Sequence, residues 1–338
     1  MKPLLPAEAI FWTRGRARRR WGSLALATAA FAGMLYACGC SGRATHAAAA
    51  PVPLQFVGAW GTKGTGPGQL DDPTSIATDV RGNVYVADPG SEFIDKFQPS
   101  GTPLLAFQYP RLHYPQSIAV DRGGAIYVSD PVRASVFVFL PDGTLYREIR
   151  LLARSNEENT IDVAVDDSGD MNVLDVDASK LYDFSPRFRL EHVWRPGAGS
   201  TGGPGRPTFV MSGPGDAIYV AGMAQNSLSR FDEGKFSSQI SLAPDPPTGA
   251  SVDPPSTPAL TRIGDQFAIS SNFVFLADPD GKTLHVWTLS GKPQGDFDLS
   301  AQLGVDQHSA PPIAVTPAND LLVLDTRQAR VFRYHFNF

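Results

Sequence analysis

The chain reads as an all-β protein, a six-bladed β-propeller, on three observations. A pair of short apolar strands ending in Asp or Gly recurs six times, with anchors at Asp88, Asp130, Asp175, Gly222, Asp278 and Asp325 and steps of 42 to 56 residues. Gly (32) and Pro (29) together supply turn formers for many short strands without reaching low-complexity composition. The last unit stops after its third strand, and a lone strand candidate, residues 54–60, precedes the first unit. Hydrophobic positions at 42% and charged positions at 19% fit a folded chain rather than a disordered one. Two cysteines exclude a disulfide-dense scaffold and any zinc site built mainly on thiolates.

Taken in chain order, the first element is an export segment, residues 1–37. It holds Lys2, Arg14, Arg16, Arg18, Arg19 and Arg20 against the single acid Glu8, so it carries +5. The formal charge of −5 therefore leaves −10 on residues 38–338. After Arg20 comes an uncharged run from Trp21 to Ala37, too short to span a bilayer comfortably, as expected of a signal h-region. Its end, Leu35-Tyr36-Ala37-Cys38, resembles a bacterial lipoprotein signal, which implies lipid attachment at Cys38. Tyr36 departs from the small residue usual there, and Ala37-Cys38-Gly39-Cys40 offers Cys40 as a second attachment point. Ordinary cleavage around Ala47-Ala48-Ala49 and a retained anchor are the other readings; all three place the body outside the cytoplasm. Residues 38–53 then read as a tether, with a flexible Ala-rich stretch ending in stiff Pro51-Val52-Pro53.

Residues 54–338 carry the repeat. Its clearest copies are Ile76-Ala77-Thr78-Asp79 with Asn83-Val84-Tyr85-Val86-Ala87-Asp88, and Ile118-Ala119-Val120-Asp121 with Ala125-Ile126-Tyr127-Val128-Ser129-Asp130. The small residues Ala77, Ala119, Ala164 and Ala314 in first strands suit strands crowded around one axis. Asp, Gly and Asn follow because Asx side chains bond their own backbone and Gly accepts positive φ. Second strands are nearly all apolar, as required of strands covered on both faces. Third strands carry an aromatic (Phe97, Phe139, Phe184, Phe231, Trp287) and a fourth strand follows another turn. Four short strands, six times over, make a ring in which each blade buries its faces only against its neighbours. The missing fourth strand of the last blade is expected to be Leu54-Gln55-Phe56-Val57-Gly58-Ala59-Trp60, pairing beside Arg330–Phe336 and closing the ring.

The run Gly61-Thr62-Lys63-Gly64-Thr65-Gly66-Pro67-Gly68-Gln69-Leu70-Asp71-Asp72-Pro73, continued by Gly82-Asn83-Val84-Tyr85-Val86-Ala87-Asp88 and echoed at Arg330-Val331-Phe332, resembles the NHL repeat. The resemblance covers about residues 54–338, strongly in the first two units and loosely from the third to the fifth. It implies a propeller whose relatives are mostly binding platforms, with a few enzymes such as the peptide-amidating lyases. No Trp-Asp dipeptide marks the WD40 type.

Function has to be argued from residues, because propellers host many activities. The anchor aspartates Asp88, Asp130, Asp175, Asp278 and Asp325 could form a carboxylate ring for a cation; the reading taken here is that each braces its loop. Arg111, His113 and Tyr114 lie in one inter-blade loop and His308 in another, on the face where ligands of such rings usually sit. They form the candidate recognition residues. The lyase-like relatives hold zinc with three histidines, and His113 with His308 is one short unless a carboxylate completes the set. His46 falls in the tether, His285 and His335 in third strands, and His192 in a fourth. No Gly-x-Ser-x-Gly context supports a nucleophile. Gly197–Gly205 lacks the Lys-Ser/Thr ending of a phosphate loop. Residues 243–259 read as a Pro-rich insertion. An exported body of −10 argues against nucleic acid. The expected function is a lipid-anchored, non-catalytic binding or scaffold module of the bacterial envelope, facing periplasm or exterior. Its partner would be an envelope protein, peptide or glycan, with no cofactor, no catalytic residue and no metal. The alternative is a metal-assisted lyase or hydrolase.

Overall fold

Alternating burial and frequent tight turns divide the chain into strands of three to seven residues, and in the computed structural model these assemble into six four-stranded antiparallel sheets. The structure describes residues 54–151, 161–196, 207–222, 227–242, 267–278, 282–301, 303 and 310–336. The signal segment, Cys38, the tether, the Gly-rich run, the Pro-rich insertion and His308 lie outside the described residues. Among the described residues no helix is long and apolar enough to cross a membrane.

The first strand, β1 (Leu54–Trp60), belongs to the last blade. Blade 1 contains β2 (Ser75–Thr78), β3 (Val84–Asp88), β4 (Phe93–Phe97) and β5 (Pro103–Phe107). Blade 2 contains β6 (Ile118–Val120), β7 (Ile126–Asp130), β8 (Ser135–Phe139) and β9 (Leu145–Arg150). Blade 3 is β10 (Ile161–Val165), β11 (Met171–Asp175), β12 (Lys180–Phe184) and β13 (Leu190–Trp194). Blade 4 is β14 (Pro207–Ser212), β15 (Ile218–Gly222), β16 (Ser227–Asp232) and β17 (Lys235–Ser241). Blade 5 is β18 (Phe267–Ile269), β19 (Phe273–Ala277), β20 (Thr283–Thr288) and β21 (Pro293–Asp298). Blade 6 is β22 (Ile313–Val315), β23 (Asp320–Asp325) and β24 (Arg330–Phe336), completed by β1. The expected ring closure is present: Leu54 pairs with Phe336 and Trp60 with Val331 in antiparallel register.

Burial follows the position of each strand. The second strands β3, β7, β11, β15 and β23 are buried along their whole length. Outer strands such as β13 and β17 are largely exposed. In blades 1 to 5 the third-strand aromatic marks a register shift against the fourth strand, at Phe97, Phe139, Phe184, Phe231 and Trp287. Such bulges raise the local twist, which turns each outer strand toward the following blade. The consequence is visible at two seams. Trp60, at the end of β1, lies against Phe97 with ring centroids 4.6 Å apart, and Phe107, at the end of β5, lies against Phe139 at 4.9 Å. Each ring also occupies the space beside a turn glycine of the next blade, Gly101 and Gly143, whose φ values are +89° and +84°. A side chain at either glycine would collide with the ring and strain the backbone.

Candidate functional site

The six first strands line a central channel. Its narrow part, about 180 Å³, runs between Ala77, Ala119, Ala164, Ala268 and Ala314, where small side chains keep the axis open. It widens into an open cup of about 380 Å³ at the end where the first strands turn into the second. All six blades contribute to this mouth, including Thr78, Asp79, Asp121, Asp166, Ser212, Ser270, Thr316 and Asn319.

The mouth carboxylates are held by their own turns. Asp79 Oδ1 accepts the N–H groups of Arg81 and Asn83, both at 2.9 Å, and Oδ2 accepts the Asn83 amide at 2.8 Å and the Tyr85 hydroxyl at 3.1 Å. Asp121 accepts the Ala125 N–H at 2.9 Å and the Tyr127 hydroxyl at 3.2 Å. Asp166 accepts the N–H groups of Ser168 and Asp170 and the Ser168 hydroxyl. In blade 6 the Thr316 hydroxyl takes this place and accepts the Asp320 N–H at 3.1 Å. Burial, together with the adjoining aspartate, pushes the Tyr85 and Tyr127 hydroxyls far above the usual phenol range, so both stay protonated donors. Burial also raises the Asp166 carboxyl. Arg122 crosses the rim to Asp167 with contacts of 2.9 and 2.8 Å. The result is a rigid polar cup on the acidic side of neutral. Among the described residues its lining holds no His, Cys or Lys.

At the opposite end, the anchor aspartates brace loops. Asp88 is fully buried and accepts the N–H groups of Asp71, Asp72 and Gly90 at 2.7 to 3.1 Å, tying the incoming loop to the turn that leaves β3. Asp130 accepts the His113 N–H at 2.9 Å in the same way. Asp175 accepts the Ala178 N–H, and Asp325 those of Arg327 and Gln328. These four carboxylates lie on separate loops and accept backbone N–H groups, Asp325 also taking the Gln328 side-chain amide, whereas the fifth anchor, Asp278, faces the His285 ring.

Of the candidate recognition residues, Arg111, His113 and Tyr114 are described. Arg111 forms an ion pair with Glu148 at 2.7 Å, and His113 Nε2 accepts from the Arg133 guanidinium at 2.8 Å. Tyr114 is 41% exposed. The other described histidines each face an aspartate in their blade. His335 Nδ1 lies 2.7 Å from Asp320, and His192 Nδ1 lies 3.1 Å from Asp183. His285 has Asp296 at 2.7 Å and Asp278 at 3.1 Å. Burial opposes a charge on His285, but the hydrogen bonds to those two carboxylates prevail and raise its pKa. Asp183, Glu191 and His192, on the outer edge of blade 3, have potential ligand atoms all within 4.8 Å of one another. That is the described grouping able to approach a metal. It stands far in sequence from the loop histidines singled out above.

Two features were not picked out from the sequence. Asp79 and Asp121 end the first strands of the quoted copies, and Asp166 follows Val163-Ala164-Val165 in the same register, so the mouth had a signal: a polar residue at one register of successive units. Asp162 had none. It is buried on β10 and accepts from the Ser117 hydroxyl at 2.6 Å and the Val210 N–H at 2.7 Å, joining three blades.

No family model matches the chain, and no curated protein matches its sequence. Solved structures do resemble it. A streptogramin B lyase structure superposes with a TM-score of 0.54 at 12% identity, covering 79% of this chain and 94% of that one. A virginiamycin B lyase from Staphylococcus aureus gives 0.52 at 13% identity, over 83% of this chain and 88% of the other. A catalytically inactive form of the same enzyme, solved with quinupristin, gives 0.51 at 13% identity over 78% and 84%. At such identities the likeness is one of fold: the chain is an all-β, six-bladed propeller.

Proposed function

We propose that the chain is an exported propeller of the NHL type, lipid-anchored through Cys38, that serves as a non-catalytic binding module of the bacterial envelope. The observation that carries the binding reading is the mouth cup. It is preformed, lined by turns of six blades, and its described carboxylates are already engaged by backbone N–H, hydroxyl or guanidinium donors. Groups so engaged can accept further hydrogen bonds at fixed positions, as a recognition site requires. The excess of carboxylates over Arg122 favours a peptide or glycan that inserts a cationic or hydroxyl-rich group. Leu54 pairs with Phe336, whose N–H bonds the Asn319 carbonyl in the mouth lining, so β1 starts on the mouth side of the ring.

The test is to plug the cup. Ser212→Trp would fill it from the end of β14, and envelope ligands retained by the purified full-length protein would be identified by mass spectrometry for both forms. Loss of the retained species with an unchanged melting curve is the expected result. Identical species on both forms would refute the cup as the site. Turnover of a streptogramin, abolished by a chelator, would instead establish the lyase alternative, for which His113 Nε2 is already taken by Arg133.

A further inference from the structure

The body is acidic, yet one corner of blade 2 gathers arginines in fixed positions. Glu148 on β9 is 13% exposed and holds two guanidinium groups, Arg111 at 2.7 Å and Arg150 at 2.9 Å. One carboxylate cannot neutralise two cations, so among the described residues a positive charge is left over. Arg133 ends the 3-10 turn Pro131–Arg133 that leaves β7. Its guanidinium donates to His113 Nε2, and among the described residues it pairs with no carboxylate. His113 is in turn fixed by its N–H bond to Asp130, which is fully buried. The Leu151 N–H bonds the Ala134 carbonyl at 2.9 Å and brings the Arg150 end of β9 against the Arg133 turn. Beside these charges stand Tyr114 and Val132, both well exposed although apolar in large part.

We propose that this corner (Arg111, Arg133, Arg150, Tyr114 and Val132) is a docking surface for an acidic peptide segment of a partner protein, distinct from the mouth cup at the other end of the channel. Each part fits that chemistry. Guanidinium forks match carboxylates in bidentate geometry, and forks already held by Glu148 and His113 lose little side-chain freedom on binding. Arg and Tyr are the residue types in which binding energy concentrates at protein interfaces. The surrounding charge of −10 selects for size: a long polyanion meets net repulsion, whereas a short acidic segment senses mainly the charges within about 8–10 Å at physiological salt. Val132 and Tyr114 add apolar contacts, which suit a peptide of mixed acidic and apolar side chains better than a phosphate polymer.

The test uses the full-length protein and a fluorescein-labelled peptide alternating Asp or Glu with Leu, followed by anisotropy at low and physiological ionic strength. Wild-type protein is expected to bind, more weakly as salt rises. Arg133→Ala with Arg150→Ala should weaken binding by about tenfold or more. The paired lysine variants, Arg133→Lys with Arg150→Lys, keep charge but not the fork and should fall between. They also decide the matter if the alanine pair fails to fold. Ser212→Trp, at the mouth, should leave this binding unchanged, so the two sites fail or succeed separately. Absence of binding to wild type, equal affinity of wild type and the arginine variants, or tighter binding of inorganic polyphosphate or anionic vesicles than of the peptide would each overturn the proposal.

Discussion

Aromatic rings meet at seams in both halves of the ring, but blades 1 to 4 add a polar relay that the described residues do not show between blades 4 and 6. One rung of the inner strands carries the relay: Ser75 Oγ accepts the Ile118 N–H, Ser117 Oγ the Val163 N–H, and Asp162 Oδ2 the Val210 N–H, at 3.2, 3.4 and 2.7 Å. Each bond runs from one blade to the next and satisfies a donor on the free edge of an inner strand, where no neighbouring strand pairs. Between blades 4 and 6 rings meet across the seams. Phe209 stacks near Phe267 at 6.3 Å, and Phe275 packs against Phe336 at 4.6 Å. A polar seam depends on atom-by-atom register and punishes loss of a single acceptor; an aromatic seam depends on volume and loses stability in proportion to the space vacated. The closing seam between blades 6 and 1 uses both, with the Thr78 hydroxyl on the Val315 carbonyl at 2.8 Å beside the Trp60–Phe97 contact.

That contrast can be broken at graded cost. Deleting residues 54–60 should have the largest effect, because it strips β24 of its partner and opens the ring; thermal unfolding should lose its cooperative transition, while deletion of 41–50 should leave it intact. Phe275→Ala comes next, at about 3–5 kcal/mol by denaturant titration, since a fully buried ring leaves a cavity between blades 5 and 6. Asp162→Ala should cost about 1–3 kcal/mol by orphaning the Val210 N–H and the Ser117 hydroxyl. If it costs no more than a surface substitution, the relay is incidental to stability.

The fourth prediction concerns pH and the closing seam. Asp95 on β4 is fully buried, and its Oδ1 accepts the Gly68 N–H at 2.9 Å while Oδ2 has no partner. Burial pushes this carboxyl up to about 7, opposed by the Gly68 bond and helped by the nearby Asp88 carboxylate. The folded chain then keeps a proton that the unfolded chain releases near the usual carboxylate value of about 4. Stability should therefore fall as pH rises from about 4 to 7 and level off above. Asp95→Asn should remove this component of the slope, as read from melting temperatures across that window; an unchanged slope would locate the effect elsewhere. The smallest effect is expected from Arg122→Ala. Its ion pair with Asp167 is exposed, and the melting temperature should not move measurably.

Much of this architecture was legible in the residues. The alternation of small and β-branched positions in 76–78 and 118–120, the apolar runs before Asp88, Asp130 and Asp325, and the surplus strand at 54–60 each correspond to an observed strand in the expected place. The third-strand aromatics were legible as aromatics but not as bulge markers, because a bulge is a relation between two strands. The bracing role of Asp88 and Asp130 could be read from the turn residues that follow them. The Asp130 partner, the His113 N–H seventeen residues earlier, could not. Arg111, His113 and Tyr114 were visible as a polar, aromatic loop, whereas Arg133, Glu148 and Arg150 join them only through the folding of blade 2.

By itself the sequence determined the number of blades, the order of strands within each and the way the ring closes, because those follow from local periodicity, turn chemistry and the count of repeats. The tertiary structure decided which polar residues meet. Asp162 reaches Ser117 and Val210, 45 and 48 residues away in sequence, because the ring sets neighbouring blades side by side. The mouth cup exists because six separate turns converge on one axis, and the arginine corner because a loop, a turn and an outer strand end together. Such convergence is a property of distance in space, and no spacing along the chain encodes it.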